Sequence, residues 1–362
     1  MRTALLARRA RLLMPVAPAI SAGPLALAGG KMWRLREPSG RLYSVIRLDT
    51  RGGVHGYGEA GVVEMPAFRA SMTVLQGREA TAYETVTLTG GLQGAVNMAM
   101  LDIVGKATQA PLYQVLGGPT RFKARAIATV KNSNNVELAQ EAGFRAYSVP
   151  LPTPLFPNSG KSYVNLVMGL WEELQKTAGD FVLDGGMRLS PGDAQMVAAA
   201  LEKEHPLFLD EPCKLTHLRQ VAKIGEESVT PLGFGREFNT LEPFQDLLRE
   251  QAVDVLRPSL HRLGISAIRR VSALAETYYT AVAPYHDGGP LGTAAGLQLA
   301  ASLPNFVALQ VPRVNAAEKK ARSEMMSGWD EPIKDGFFEL PTGHGLGVKV
   351  DEKALDRYEV KL

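Results

Sequence analysis

The apolar positions of this chain change rhythm near residue 123. From there to about residue 310, short apolar runs recur between longer amphipathic segments. The runs are Ala124–Val130, Ala146–Val149, Phe181–Asp184, Leu207–Asp210, Leu232–Phe234, Val253–Leu256, Thr280–Ala283 and Phe306–Gln310. Such near-continuous apolar stretches suit strands buried on both faces. Between them, segments such as Pro191–Glu204, Leu241–Glu250 and Ser266–Thr277 carry helical spacing. Eight strand-plus-helix units predict an α/β fold built on a TIM-type barrel over residues 121–335.

Upstream the rhythm differs. Tyr43–Asp49 alternates like a strand, and Val54–Glu59 follows a Gly52-Gly53 turn. Residues 66–116 then read as helical, most clearly over Asn97–Val104, with a stop at Gly117-Gly118-Pro119. Two strands followed by helices predict a separate α+β domain over 32–120. The Gly-rich tail from 336 to 362 carries short strands and is expected to return to that domain. Residues 1–28 have Arg2, Arg8, Arg9 and Arg11 ahead of an apolar stretch ending Ala26-Leu27-Ala28, the layout of a secretory leader, with Arg8-Arg9 pointing to a twin-arginine form. A working leader implies an exported or periplasmic protein starting near Gly29; otherwise the expectation is cytoplasmic. Pro15, Pro18 and Pro24 make the stretch a poor membrane span.

Composition narrows the function classes only a little. A 362-residue chain with a net charge of +3 and no basic run interleaved with aromatics argues against nucleic-acid binding. The single Cys213 excludes an internal disulfide and a cysteine metal cluster, and reads as packing. More informative are three acids that close apolar runs: Asp184, Glu211 and Glu237 lie 27 and 26 residues apart, one strand-plus-helix unit each time. In a parallel barrel such strand ends converge on one rim, where their mutual repulsion calls for a hard cation such as Mg²⁺. Arg236, beside Glu237, is the complication.

The motifs Gly56-Tyr-Gly-Glu59, Asp102-Ile-Val-Gly-Lys106 through Leu116-Gly-Gly-Pro119, Asp210-Glu-Pro212, Ala300-Ala-Ser-Leu-Pro-Asn305 and Gly343-His-Gly-Leu-Gly347 occur in order over residues 40–358. Together they resemble the enolase superfamily, most closely its mandelate racemase/muconate lactonising branch. The resemblance implies a modified (β/α)7β barrel beneath an α+β capping domain. It also implies Mg²⁺ holding a small carboxylate, and a base that removes the proton α to it. It favours a homo-oligomer.

The chain departs from that pattern at the chemistry. Asp184 and Glu211 fall on the first two metal positions, but the third falls on Arg236, with Glu237 one residue later. A one-residue shift turns a strand side chain to the other face. Where the branch often has Lys-x-Lys, the chain has Ser148-Val149-Pro150; the expected acid or lysine is Ser259, and the expected histidine is Tyr285. His286 is then the candidate base, with His261 and Lys131 behind it. Arg236, Arg257, Ser259 and Tyr285 are the candidate substrate-binding residues, and Asp184, Glu211 and Glu237 the candidate metal ligands. Two readings follow. One is a Mg²⁺-dependent lyase (dehydratase) or isomerase (racemase or epimerase) acting on a small hydroxy or sugar acid. The other is a divergent, non-catalytic carboxylate-binding protein in which Arg236 replaces the metal. Specificity is expected from Val62–Phe68 and from the rim loop Pro150–Gly160.

Overall fold

The computed structural model describes residues 23–216 and 218–360. Strands β1 (Leu27–Arg36), β2 (Leu42–Thr50) and β3 (His55–Ala60) form an antiparallel meander. Strand alternation divides β2 between two cores. Tyr43 and Val45 join the core shared with the barrel, while Ile46 and Leu48 pack toward helices α1 (Met65–Leu75) and α2 (Gln93–Ala107). The short α3 (Leu112–Val115) closes this capping domain.

Eight strands follow: β4 (Lys123–Thr129), β5 (Ala146–Pro150), β6 (Asp180–Asp184), β7 (Phe208–Asp210), β8 (Leu232–Phe234), β9 (Val255–Leu256), β10 (Ala281–Val282) and β11 (Leu309–Pro312). They pair in parallel from β4 through β10, and β11 pairs β4. Bridges from Val282 to Phe306 and from Tyr285 to Gln310 close the ring. Each overlaps one of the apolar runs named above, β11 only at Leu309 and Gln310. A helix follows each strand: α4 (Val136–Glu141), α5 (Lys161–Leu174), α6 (Pro191–Ala200), α7 (Leu218–Glu227), α8 (Glu242–Arg249), α9 (Leu260–Glu276), α10 (Pro290–Ala300) and α11 (Ala316–Met325). The last of these leaves the ring. It packs beside α12 (Glu352–Tyr358), and its Arg322 and Glu318 bond to Glu37 and Ser39 of the cap, so the barrel is of the modified (β/α)7β kind.

The barrel interior is layered. Ile127, Ala146, Val182, Phe208, Val255, Ala283 and Ala308 form an apolar plug. Toward the C-terminal rim the plug gives way to buried polar side chains, Ser148, Asp210, Arg257 and Gln310. That end is where barrel enzymes place their chemistry.

Two sequence expectations need correction. The proposed leader lies mostly outside the described residues, but its last residues do not behave as a removable segment. Ala26 and Leu27 are fully buried, Leu27 pairs with Thr50, and the Leu27 amide donates to the Arg78 carbonyl. The cap therefore begins before residue 28, and β1 was missed because its first residues imitate a cleavage site. The tail also does more than cover the cap. Between residues 333 and 339, β12 (Ile333–Lys334) and β13 (Phe337–Glu339) form a ribbon whose β13 pairs antiparallel with barrel strand β4. Only beyond it does the chain return to the cap, where Leu346 bonds Asp102 and Asp356 bonds Trp33.

Candidate functional site

The decisive local geometry is at the end of β8. Gly233 faces the barrel interior, where a Cβ would sit 2.8 Å from an Asp210 oxygen. Strict two-residue alternation from there would carry Glu237 inward as well. Gly235 breaks the alternation: its φ is +127°, in the region that favours glycine, and a Cβ there would strike the Phe244 ring at 2.3 Å. Arg236 consequently turns into the rim, and Glu237 turns out to a partly exposed ion pair with Arg262.

Arg236 lies among three acids. Its Nη1 and Nη2 donate to the two Asp184 oxygens at 3.0 and 2.5 Å, and its Nε lies 3.4 Å from Asp210 Oδ2. The backbone amides of Gly235 and Arg236 donate to Glu211 Oε1 at 2.7 and 2.8 Å. Burial disfavours the guanidinium charge, but Asp210, Asp184 and Glu211 more than offset this and hold it firmly protonated. Glu211 is itself pushed up to about 7, first by burial and then by the Asp210 charge, against the pull of the Arg236 and Gly235 amides and the Arg236 charge. It also sits at φ +44°, a left-handed conformation uncommon outside glycine that collects at functional sites.

The residues present therefore do not fit the Mg²⁺ that the resemblance implies. A hard cation needs several free carboxylate oxygens and room for waters. Here both Asp184 oxygens are taken by the Arg236 fork, and the third carboxylate, Glu237, is held elsewhere by Arg262. The structure gathers Asp184 and Glu211 on one rim but does not bring Glu237 to them.

The other candidates divide. Arg257 is fully buried inside the barrel, donating to Asp210 at 3.0 Å and to Ala283 and Gln310, with its charge over the Phe208 ring. It is a structural strut and has no surface to offer a substrate. Ser259 and Tyr285 line the cleft at the domain junction, and the Arg236 guanidinium lies 5.5 Å from the Tyr285 ring. His286 is wholly buried behind the cleft, where burial first, then the charges of His261 and Arg322, push its pKa well below the ordinary histidine value. It cannot reach a substrate in the cleft. His261 does line the cleft. Burial works against its charge, but Asp287 and Glu59 raise it to about 9, so it is an imidazolium at neutral pH rather than a base. Lys131 is exposed, and burial pushes the Cys213 thiol up to about 11, so it is inert.

The cleft itself has a volume of about 900 Å³, within the range of small-molecule sites. The cap contributes Gly61, Val62 and the stretch from Tyr83 to Gly91, and the barrel contributes the segments after β8, β9 and β10. Val62 was expected there; the loop Pro150–Gly160 is not part of the lining. Arg270 was not foreseen. It lines the cleft from α9 with no ion pair among the described residues, and in the sequence it was indistinguishable from any other exposed helix arginine.

Comparisons with known proteins agree with the geometry of the fold. Residues 133–354 match the family described as Enolase C-terminal domain-like. A D-galactonate dehydratase family member from Streptomyces bingchenggensis is 28% identical over 88% of this chain and 90% of its own. A D-mannonate dehydratase from Sphingomonas sp. is 27% identical over 89% and 92%. A mandelate racemase/muconate lactonizing enzyme-like protein from Roseovarius sp. TM1035 superposes with a TM-score of 0.81 at 21% identity, covering 93% of this chain and 96% of the other.

Proposed function

The chain belongs to the enolase superfamily, in its mandelate racemase/muconate lactonising branch, and on that premise we propose that it binds a small polyhydroxy carboxylate of the sugar-acid class without a divalent ion. The observation that carries this reading is the Arg236 fork on Asp184, with Asp210 and Glu211 beside it: a fixed guanidinium stands where the branch places a cation. Arg236 is charge-satisfied by those acids, so the ligand carboxylate needs another partner. Arg270 supplies it, since an unpaired guanidinium matches a carboxylate with two parallel hydrogen bonds. Thr87, Thr89, Thr240 and Gln245 line the same cleft with groups suited to hydroxyls. The relatives named for galactonate and mannonate support the ligand class.

The test is calorimetric titration of D-galactonate and D-mannonate into chelator-treated protein. Saturable binding without metal, weakened about 10- to 100-fold by Arg270→Ala as the loss of a charged hydrogen-bonded contact predicts, supports the proposal. Binding that appears only with Mg²⁺, or no binding at all, overturns it.

A second reading rests on the relatives' activity. A sugar-acid dehydratase removes the α-proton and expels the β-hydroxyl to give a 2-keto-3-deoxy acid, and the imidazolium of His261 is a suitable general acid for that departure. Neither Tyr285 nor the Lys-x-Lys place supplies the base at neutral pH, since burial drives the phenol far up and that place is Ser148-Val149-Pro150; the Asp287 carboxylate, which lines the cleft beside His261, remains as a proton acceptor. Formation of the keto acid from either sugar acid would establish this reading instead.

A further inference from the structure

We propose that Glu59, His261 and His286 bind one Zn²⁺-class divalent ion at the junction of cap and barrel, a site separate from the Arg236 rim. The three come from different parts of the fold: Glu59 from β3, His261 from the first turn of α9, and His286 from the loop after β10. All three are buried, and one ligand atom from each lies within 4.8 Å of the others. In a tetrahedral zinc site with bonds of about 2.0–2.1 Å, ligand atoms sit about 3.3 Å apart, so the cluster needs only small side-chain movement.

Two polar atoms here are buried without a hydrogen-bond partner: Glu59 Oε2 and His286 Nδ1. Native interiors seldom leave such atoms unpaired, and each calls for an explanation such as an ion. The surroundings also fix which ring nitrogen of His286 is bare. Thr293 Oγ1 donates its proton to Glu331, so it accepts from His286 Nε2–H at 3.2 Å and leaves the Nδ1 lone pair free. His261 presents its Nδ1 to Asp287 Oδ1 at 3.5 Å and its Nε2 to Glu59 Oε1 at 2.9 Å; without an ion Nε2 carries a proton, which it gives up to bind one, so Zn²⁺ uptake releases a proton. A histidine whose second nitrogen faces a carboxylate or hydroxyl is the usual arrangement behind a metal ligand.

The space is kept clear by a residue that has no helical reason to be there. Gly292 lies inside α10, where alanine would stabilise the helix by about 1 kcal/mol. A Cβ at that position would sit 2.7 Å from Glu59 Oε1 and 2.8 Å from His286 Nδ1. Two nitrogens and one carboxylate oxygen favour Zn²⁺ over Mg²⁺, which prefers all-oxygen octahedral sites. Three protein ligands leave the fourth position for a water. The buried Arg322, which donates to the Gly288 carbonyl, and Arg41, which donates to the Asp287 carbonyl, are nearby cations that oppose an ion here; Glu37 and Glu331 pair with Arg322, and Glu37 and Glu318 with Arg41.

Chelator-treated full-length protein is dialysed against ZnCl₂ and its metal content measured, with melting followed in parallel. We expect one Zn²⁺ per chain, a rise in Tm of about 4 °C or more at a hundredfold excess over Kd, and no rise with MgCl₂. Co²⁺ substitution should give the intense visible absorption of a four-coordinate ion. His286→Gln should lose the ion; Gly292→Ala, which keeps all three ligands and fills the space, should lose it too. Replacing the exposed His55 and His344 with Ala should leave the stoichiometry unchanged. Absence of Zn²⁺ uptake by the unaltered protein overturns the proposal, as does uptake unaffected by both His286→Gln and Gly292→Ala. Neither outcome bears on sugar-acid binding, which is measured without metal.

Discussion

Two acid-bearing clusters stand close together in this molecule and solve opposite problems. At the barrel rim, Asp184, Asp210 and Glu211 are supplied with donors from Arg236, Arg257 and two backbone amides, and the one carboxylate oxygen there without a hydrogen bond, Asp210 Oδ2, faces the Arg236 charge at 3.4 Å. At the domain junction, Glu59 and His286 each keep a buried polar atom without a partner. The first cluster includes the positions to which the resemblance assigns an ion, Asp184 and Glu211, and on the reading proposed above Arg236 takes the ion's place there. The second has no such history in the resemblance and is chemically open. The difference teaches that a cation site is recognised by unmet demand for a cation, and only secondarily by the number of acids in it.

Removing the rim's internal cation should have the largest effect. Arg236→Ala leaves Asp184 without its partner and the fully buried Asp210 with Arg257 alone, and breaking such a pair costs roughly 3–5 kcal/mol. Chemical denaturation should show that loss, and Mg²⁺ should restore part of it, because three acids then face an open space. A stabilising Arg236→Ala would contradict the account of the rim.

The start of the fold comes next. A chain beginning at Gly29 lacks Ala26 and Leu27, both fully buried, and should lose about 2–5 kcal/mol, as deletion of a core leucine does. Unchanged stability of that truncation would put the first strand's edge outside the cap's core.

A smaller effect concerns pH. Glu211 has a folded pKa of about 7 against an ordinary value near 4.5, so the folded state holds its proton longer than the unfolded state does. Its contribution is fully present below about pH 4.5 and is lost as pH rises through 7. His261 has a folded value of about 9 against 6.5, so its contribution is full below about 6.5 and is lost as pH rises through 9. Both slopes run the same way. Glu211→Gln should flatten the lower part of the decline and His261→Asn the upper part, in Tm measured at fixed ionic strength. The smallest expected change is Glu237→Gln, under about 1 kcal/mol, because its pair with Arg262 is half exposed.

Much of this fold was legible. The eight barrel strands announce themselves as short apolar runs because both faces of each are buried, and Gly117-Gly118-Pro119 marks the cap's end. The strand β1 was hidden because Ala26-Leu27-Ala28 serves a buried edge and a cleavage signal with the same small apolar residues. The rim was legible to within one residue. Asp184 and Glu211 could be placed by register, but whether Arg236 or Glu237 turned inward depended on the φ of Gly235, which a letter in a sequence does not state. Arg257 looked like a substrate ligand because its position at a strand end is shared by residues that point up and residues that point into the plug. The pairing of Glu59 with His261 and His286 was beyond reach, since it joins residues 202 positions apart across two domains.

The most direct test of the claim that Arg236 holds the cation's place is a Mg²⁺ titration of the chelator-stripped, unaltered protein followed by its melting temperature. A ligand that binds only the folded state must raise Tm in proportion to its occupancy. With Arg236 in the cation's place, the response should be flat up to millimolar Mg²⁺. A saturable rise in Tm that Glu211→Gln abolishes would show that the ion displaces Arg236, and would contradict that claim.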